Sequence, residues 1–283
     1  MTRRTLASAV TAEGVALHAG TVVHMTLAPA AAGAGIAFRR SDLGRDIPAL
    51  YDRVADTRLG TVLDDGADAR VGVVEHLMAA VAGAGIDDLL ITLDGPEPPI
   101  LDGDALSYLR LIDAAGISET LAPRRTIRVL RPVAVEEGGA TACLLPAPAL
   151  SFDLEIDFAS AAIGVQRLVW DFSPEAFRHD IAPARTFGFM RDLDALLKAG
   201  LARGASLQNT LAIEGEGLVN ASLQRFPDEF VRHKILDAIG DLALAGALLL
   251  ARFEGRRSGH GLNNVLLRAL FAEPENYEEV MLA

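Results

Sequence analysis

The segment DEFVRHKILDAIGDL, residues 228 to 242, places a histidine and two aspartates among apolar side chains. In a helix that turns ~100° per residue, His233 and Asp237 lie one turn apart and Asp241 lies one turn further, so all three can face one cavity. The apolar residues around them predict a helix buried on most sides, where an unpaired carboxylate is very costly. Two interpretations are open here. One is an ordinary i,i+4 pair on a solvated edge with Asp241 capping a nearby group, and the other is a metal site.

A second candidate group is the dipeptide Glu75-His76 in VVEHLMAA, whose apolar neighbours disfavour full exposure. If His76 joins His233 and Asp237, two imidazoles and one carboxylate form a usual catalytic zinc set with one open position. Zinc lowers the pKa of a bound water towards ~7 and polarises a carbonyl. Glu75 is then the candidate general base, although its spacing differs from that of H-E-x-x-H.

An amide hydrolase also needs stabilisation of the oxyanion and a proton for the departing amine. His260 lies between glycines in RRSGHGLNN, at the predicted start of a helix. Asp241 could orient this imidazole and favour its protonated form. Thr186 in PARTFGF could donate its hydroxyl to the oxyanion. The competing interpretations are a loop histidine for His260 and an ordinary strand-end threonine for Thr186.

Composition limits the classes of protein and partner. A chain of 283 residues with 51% hydrophobic content can bury a large core and favours two domains. A net charge of −12 argues against a nucleic-acid surface and a polybasic membrane anchor. Cys143 is the one cysteine, so an internal disulfide and a cysteine zinc site are excluded and a reducing compartment fits. We expect a soluble cytoplasmic protein without a transmembrane segment, since the longest apolar run, Leu242 to Ala251, is too short to span.

The elements of the first half begin with strands. Strand character covers Val22 to Leu27, Gly35 to Arg40 and DDLLITLDG, residues 87 to 95. Helices are predicted in RVGVVEHLMAAVAGAG, residues 70 to 85, stopped by Gly83 and Gly85, and in DALSYLRLIDAAG, residues 104 to 116.

The second half restarts with strands after residues 118 to 126, where periodicity lapses and a proline predicts a domain boundary. The predicted elements are strands in 126 to 137, 140 to 145, 151 to 158, 166 to 172 and 217 to 220, and helices in 173 to 179, 191 to 200, 228 to 253 and 259 to 273. The expected fold is α+β, with two similarly built domains, residues 1 to 120 and 126 to 283, each a β-sheet packed with helices.

Six motifs together closely resemble a known family, and they occur in order along nearly the whole chain. They are GVALHAG (14 to 20), VVEHLMAAVAGAGID (73 to 87), PILDG (99 to 103), ARTFGFMRD (184 to 192), DEFVRHKILDAIGDL (228 to 242) and SGHGLNN (258 to 264). The family is UDP-3-O-acyl-N-acetylglucosamine deacetylase, the zinc enzymes of lipid A (lipopolysaccharide) biosynthesis in Gram-negative bacteria. The combination of VEHL, EFVRHKILDAIGD and SGH is highly specific.

The resemblance implies a two-domain α+β fold with the active site between the domains. It also implies zinc, or ferrous iron, as the metal. The implied roles are metal ligands for His76, His233 and Asp237, general base for Glu75, cationic acid and oxyanion partner for His260, support of that imidazole for Asp241, and oxyanion donor for Thr186.

Substrate contacts also follow from the resemblance. Lys234 matches a lysine that contacts the nucleotide-sugar end, and Phe187 matches a phenylalanine that packs on the sugar. Arg257 is a further candidate, with a solvated arginine as the other interpretation. An insert that forms an acyl passage in the family matches residues 192 to 215. The candidate lining residues of that passage are Leu193, Leu201, Leu207 and Leu211. The alternative is that these leucines take part in ordinary helix packing.

Four positions depart from the family pattern, namely Ala16, Ala19, Asp88 and Asp104. None of them matches a metal ligand or an acid/base group of the family, so we expect them to affect loop packing and substrate binding rather than the reaction. His18, His24 and His179 are expected to have no catalytic role.

The sequence therefore predicts a zinc-dependent deacetylase that hydrolyses the N-acetyl group of UDP-3-O-acyl-N-acetylglucosamine and releases acetate. The expected protein is a monomer with a UDP-linked acylated amino-sugar substrate and no nucleic-acid partner, and transient membrane proximity is compatible with this reading. The alternatives are a zinc amidase acting on another amino sugar and a non-catalytic zinc-binding regulatory protein. Glu75, His260 and Asp241 argue against the last, because a structural metal site needs no acid/base groups.

Overall fold

The computed structural model describes residues 1–282, and within them the chain is α+β, as predicted: mixed sheets are packed with helices. The first half consists of short strands and two helices, with one strand between the helices. Its elements are β1 Thr2–Leu6, β2 Val10–Val15, β3 Val22–Pro29, β4 Ile36–Arg40, β5 Arg45–Pro48, β6 Val54–Asp56, β7 Val62–Asp64, β8 Arg70–Val71, α1 Glu75–Ala84, β9 Leu89–Leu93 and α2 Leu106–Ala115.

The main sheet of this half has the order β2-β3-β9-β4-β5, in which β4 runs parallel to β9 and the other pairs are antiparallel. Alternate residues of β3 are buried, because side chains on a strand point to opposite faces and one face covers the core. A small three-stranded sheet, β6-β7-β8, leads into α1. The predicted strands and both helices of this half are present, but the helix predicted over residues 70 to 85 begins only at Glu75, because Arg70–Val71 form β8.

The second half repeats the plan with more elements. They are β10 Ile117–Val129, β11 Val133–Glu137, β12 Ala140–Pro146, β13 Ser151–Asp157, β14 Val165–Asp171, α3 Pro174–Ala176 followed by a π-helical turn Phe177–Ile181, β15 Phe187–Phe189, α4 Met190–Lys198, β16 Leu211–Glu214, β17 Gly217–Leu218, α5 Glu229–Ala243, β18 Leu248–Arg256, α6 His260–Ala272 and β19 Tyr277–Leu282.

Strand β18 is the centre of the large sheet. It pairs antiparallel with β12 on one side and parallel with β13 on the other, while its first residues pair with β10. Helix α5 packs against β13 and β14, and α6 packs against β11 and β12. A second small three-stranded sheet, β15-β16-β17, carries α4. Each half is therefore a sheet packed with helices plus a small satellite sheet.

The prediction of one helix over residues 228 to 253 is wrong in its last third. Helix α5 ends at Ala243, Gly246 adopts a left-handed φ of +77°, and β18 follows. A continuous apolar run is compatible with a buried helix or with a central strand, and periodicity alone cannot distinguish them. The alternating burial of Leu249, Ala251 and Phe253 identifies the strand.

Residues 118 to 126 are not an irregular linker, because β10 runs through them as a 13-residue strand. Its first part pairs antiparallel with β1, and its second part pairs with β18 and β19. One strand therefore joins the two halves. The division into residues 1 to 120 and 126 to 283 stays a prediction.

Helices α1 and α5 pack along one another and bring the halves together. Gly240 allows this approach, because a Cβ at this position would lie 2.0 Å from the Glu75 carbonyl oxygen. Gly83 does not stop α1 but lies within it, against the ring of Phe177, and Gly85 with φ +69° ends the helix. Within residues 1–282, no helix combines the length and apolar character needed to cross a membrane.

Candidate metal centre and its acid/base groups

The first turn of α1 delivers two chemical groups to the interface between the halves. Glu75 and His76 are its first residues, and each is 3% exposed. The chain turns into the helix at Val73, whose φ of +54° is an outlier for a β-branched residue. Such strain persists where the surrounding structure fixes it, often at functional sites.

Helix α5 supplies the opposing wall. His233, Asp237 and Asp241 follow one another by single turns and are all buried. The His233 Nε2 atom lies 3.3 Å from Asp237 Oδ1, and the His76 Nε2 atom lies 3.6 Å from the same oxygen. Ligand atoms of all three residues lie within 4.8 Å of one another. The structure thus brings together the three predicted ligands, which come from two helices.

The donor set fits a tetrahedral divalent ion. Ligand atoms ~2.0–2.1 Å from zinc lie roughly 3.3 Å apart in a tetrahedron, close to the 3.3 and 3.6 Å from Asp237 Oδ1 to the two imidazole nitrogens. Asp237 Oδ1 is buried and has no hydrogen-bond partner among the described residues. A buried carboxylate oxygen without a partner is costly, and a cation between it and the two imidazoles removes that cost.

The protonation states of His233 and Asp237 favour metal binding, because a metal ion needs a free lone pair on each ligand atom. The Ala184 carbonyl, 3.1 Å from His233 Nδ1, can only accept a hydrogen bond, so Nδ1 carries the proton and Nε2 presents its lone pair. Burial lowers the pKa of His233 to about 3, which keeps the ring neutral. Burial opposes ionisation of Asp237, but the Lys234 ammonium, 2.6 Å from Oδ2, helps to hold the pKa of Asp237 well below its usual range.

Glu75 is held beside the ligands without joining them. Its Oε2 accepts a hydrogen bond of 2.9 Å from the Thr61 amide, and its Oε1 lies 4.0 Å from His260 Nε2. Burial raises the pKa of Glu75, although the positive charge of His260 opposes that rise. A raised carboxylate pKa suits a group that must accept a proton near neutral pH.

His260 is the first residue of α6, as the sequence predicts. Its Nδ1 donates a 3.0 Å hydrogen bond to Asp241 Oδ2, and its Nε2 lies 3.8 Å from Asp237 Oδ2. Burial alone would lower the pKa of His260, but the negative charges of Asp241 and Glu75 raise it to about 9. The imidazole is therefore cationic at neutral pH.

Three residues at this site were not singled out from the sequence. The Thr61 hydroxyl donates to Asp241 Oδ1 at 2.6 Å, and the Asn263 amide donates to Asp241 Oδ2 at 2.9 Å. Gly240 sets the distance between the helices. Asn263 was within reach of pattern reasoning, because it lies one helical turn after His260 on α6.

Thr186 and Phe187 follow Ala184, whose carbonyl orients His233. The Phe187 ring centroid lies 6.1 Å from that of His233 and 5.0 Å from that of Phe230. Thr186 lies immediately before β15, and its backbone amide donates to the Gly103 carbonyl. Phe187 is thus half-buried at the edge of the metal centre, while the oxyanion role of Thr186 stays a prediction.

The two basic candidates lie in different places. Lys234 is mostly buried and points at Asp237, next to the ligands. Arg257 has φ +52°, and its guanidinium donates to the Gly139 carbonyl in the β11–β12 turn at 2.8 Å. Arg257 therefore ties together two backbone segments of the large sheet.

The predicted acyl-passage leucines are scattered. A cavity of about 270 Å³ has Gly60, Val73 and Leu201 in its wall. Leu211 is fully buried in β16, whereas Leu193 is half-buried on α4 and Leu207 is exposed. Leu201 is the one of the four leucines in contact with this cavity.

A larger cavity, of about 520 Å³, lies away from this chemistry. Ile239 and Leu242 form part of its wall. They are on the face of α5 opposite Asp237, because helical geometry places them roughly 140–200° from it. The larger of these two cavities is therefore not next to the candidate metal ligands.

Two of the four departures from the family pattern form ion pairs through their side chains. Asp88 is buried and holds the Arg3 guanidinium with two bonds of 2.7 Å, and Asp104 pairs with Arg225 and caps the Ser107 amide. Ala16 is buried, and the Ala19 amide donates to Glu97. His18 bonds to backbone groups of Leu59 and Ala202.

Comparison with known proteins gives a consistent result. The model of the family described as UDP-3-O-acyl N-acetylglycosamine deacetylase matches residues 3–272. The match includes both helices of the metal centre as well as His260.

Curated relatives carry the name UDP-3-O-acyl-N-acetylglucosamine deacetylase. The protein of Phenylobacterium zucineum (strain HLK1) is 47% identical over 93% of this chain and 90% of its own length. That of Myxococcus xanthus (strain DK1622) is 46% identical over 98% and 89%, and that of Pseudomonas entomophila (strain L48) is 45% identical over 98% and 93%. The similarity thus extends over almost the full length of both partners.

Proposed function

The chain belongs to the UDP-3-O-acyl N-acetylglycosamine deacetylase family, and from this premise we propose that it removes the N-acetyl group of UDP-3-O-acyl-N-acetylglucosamine and releases acetate, a step of lipid A biosynthesis. One observation carries the proposal. Two imidazole nitrogens and an unpartnered carboxylate oxygen converge at the point where Glu75 and His260 face each other at 4.0 Å.

His76, His233 and Asp237 would hold the ion, and we propose zinc because two imidazoles and one carboxylate are a usual catalytic zinc set. Zinc in such a site supplies Lewis-acid chemistry: it lowers the pKa of a coordinated water and polarises a carbonyl. Lys234 stays outside the ligand set and neutralises part of the negative charge of Asp237.

The chain's own residues would perform the proton transfers. Glu75 takes a proton from the attacking water as the new carbon–oxygen bond forms at the acetyl carbonyl. The carbonyl oxygen becomes negative, and the cationic Nε2–H of His260 and the hydroxyl of Thr186 stabilise it.

Collapse of this species breaks the carbon–nitrogen bond. The amine departs with a proton from His260 Nε2, and acetate is left with the water oxygen. Asp241 keeps His260 oriented and cationic before that transfer. The proton taken up by Glu75 passes to solvent, and His260 regains one from solvent, so each turnover begins from the same state.

Substrate recognition would use groups around this centre. Lys234 supplies a compact positive charge for the diphosphate, in a protein whose net charge of −12 would otherwise repel it. Phe187 offers an aromatic edge for the sugar. The part of the cavity wall that contains Leu59, Val62 and Leu201 offers room for the start of the acyl chain. Contacts from Arg257, Leu193 and Leu207 stay predictions.

We also propose a cytoplasmic monomer. The free Cys143 is compatible with a reducing compartment. The metal set and its acid/base partners all come from one chain, so chemistry does not require a second copy.

The test is acetate release from synthetic UDP-3-O-acyl-N-acetylglucosamine by protein reconstituted with zinc or with ferrous iron. Glu75→Gln keeps the shape of the side chain but cannot accept the proton, so kcat should fall by about 10²–10⁴-fold while zinc content stays at one per chain. A wild-type kcat in this variant would refute the role of Glu75. Turnover of other N-acetylated amino sugars at the same rate would instead favour a broader amidase.

A further inference from the structure

Thr61 lies between the two halves of the catalytic centre, immediately before β7, and is 2% exposed. Its amide donates to Glu75 Oε2 at 2.9 Å, and its hydroxyl donates to Asp241 Oδ1 at 2.6 Å. We propose that Thr61 is a positioning residue that holds the general base and the partner of the general acid in fixed relative geometry. This inference rests on the proposed function, because it assigns Thr61 a role through Glu75 and Asp241.

The hydrogen bonds of Asp241 explain why the hydroxyl matters. Oδ2 already accepts from His260 Nδ1 and from the Asn263 amide, whereas Oδ1 accepts from Thr61. The three bonds together fix the plane of the carboxylate. Without the hydroxyl, a buried acceptor loses its partner and the carboxylate can rotate, which would turn His260 away from the reacting amide.

The preceding residue indicates that this segment is shaped to hold Glu75. Gly60 has φ +135°, in the region that favours glycine, and a Cβ there would lie 2.8 Å from Glu75 Oε1. The backbone of residues 60 and 61 therefore lies directly against the carboxylate. Glu75 can reach the Thr61 amide because position 60 lacks a side chain.

Positioning is important here because Glu75 and His260 act on the same amide from 4.0 Å apart. A displacement of ~1 Å in a catalytic group can reduce the rate by about 10²-fold. Thr61 is connected to both groups, directly to Glu75 and through Asp241 to His260. It comes from the first half of the chain, whereas Asp241 and His260 come from the second.

The test is Thr61→Val, which keeps the β-branched shape and the backbone amide but removes the hydroxyl. We expect kcat to fall by about 10–100-fold, as for other residues that orient catalytic groups. KM and zinc content should stay at the wild-type values, and Thr61→Ser should restore kcat. A wild-type kcat in Thr61→Val, or a failure of Thr61→Ser to restore activity, would overturn the proposal.

A matched control is Thr126→Val. Thr126 is fully buried, and its hydroxyl donates to the Val280 carbonyl at 3.0 Å, between β10 and β19 and away from the metal centre. This variant loses the same group from a buried position, so it should keep the wild-type kcat. An equal loss of kcat in both variants would mean that Thr61 acts through general stability.

A double variant tests the route through Asp241. If the hydroxyl acts on that carboxylate, Thr61→Val should cost little further activity in an Asp241→Asn background. Losses that multiply would overturn this route. Acetate release by the wild-type protein separates the inference from the proposed function: its absence refutes the function, whereas its presence beside a fully active Thr61→Val refutes the inference alone.

Discussion

Replacing Gly240 with alanine should disable the metal centre without touching a ligand. An alanine Cβ would lie 2.0 Å from the Glu75 carbonyl oxygen, 2.7 Å from its carbonyl carbon and 2.9 Å from its Cα. These are backbone atoms, so no side-chain rotation relieves the clash. Because non-bonded carbon atoms approach to about 3.5 Å, α1 and α5 would have to separate by more than about 1 Å.

Such a separation would act directly on the ligand set. His76 follows Glu75 on α1, and Asp237 precedes Gly240 by three residues on α5, so the Nε2–Oδ1 distance of 3.6 Å would lengthen. Metal sites tolerate errors of about 0.2 Å in ligand distances. We therefore expect zinc affinity and kcat each to fall by about 10²-fold or more.

Helix propensity alone predicts that Gly240→Ala raises the free energy of unfolding, whereas the clash with α1 predicts that it lowers it. The two explanations can therefore be distinguished by a stability measurement. Glycine to alanine within a helix should stabilise by about 1 kcal/mol, whereas overpacking of a close interface destabilises by about 1–3 kcal/mol. The assays are zinc content in buffered zinc, acetate release at saturating zinc, and the urea midpoint of unfolding. Gly217→Ala, where a Cβ meets open space, is the control. A Gly240→Ala protein with wild-type zinc affinity and kcat would refute the reasoning.

Three further predictions follow from the site. Burial alone would lower the pKa of His260, but the negative charges of Asp241 and Glu75 raise it to about 9. A reaction that needs the His260 proton should therefore slow as the pH rises through about 9. Asp241→Asn removes a negative charge that favours the cation, so that limb of the kcat–pH profile should move to lower pH, and an unmoved limb would contradict the assignment. Lys234→Met should raise KM for the UDP-linked substrate by about 10-fold or more, because it removes one charge-assisted hydrogen bond. Lys234→Arg, which keeps the charge, is the control. An unchanged inhibition constant for UDP in Lys234→Met would count against a diphosphate contact. Leu201→Ala should weaken binding of a long-chain substrate more than that of a truncated one, and equal losses in KM would exclude Leu201 from the acyl passage.

The sequence predicted the ligand set because helical spacing is a local property. His233, Asp237 and Asp241 recur by single turns among apolar residues, and Glu75-His76 begins an apolar helix, so each group could be recognised on its own element. That the two elements meet was a hypothesis, which the geometry of α1 and α5 now supports.

Contacts between distant parts of the chain were not accessible in the same way. Thr61 and Asp241 are 180 residues apart, and a threonine in LGTV carries no pattern that indicates its partner. Gly240 was not singled out from the sequence, since the close approach of α1 is visible only in three dimensions. Nothing in the sequence indicated that the Arg257 guanidinium donates to the Gly139 carbonyl.

The error over residues 244 to 253 has a different origin. Leucine and alanine favour helices, and the run Leu242 to Ala251 contains mostly these residues. Burial between β12 and β13 nevertheless makes Leu248–Arg256 a central strand, because tertiary pairing outweighs a weak local preference.

The most direct test of the metal centre is a titration of chelated protein with zinc, followed by acetate release. Activity should be absent after chelation, rise in proportion to added zinc, and reach its plateau at one ion per chain. His76→Ala should need far more zinc to reach any activity. Full acetate release by protein that retains no metal, or a plateau that His76→Ala reaches at the same zinc concentration, would contradict a catalytic ion held by His76, His233 and Asp237.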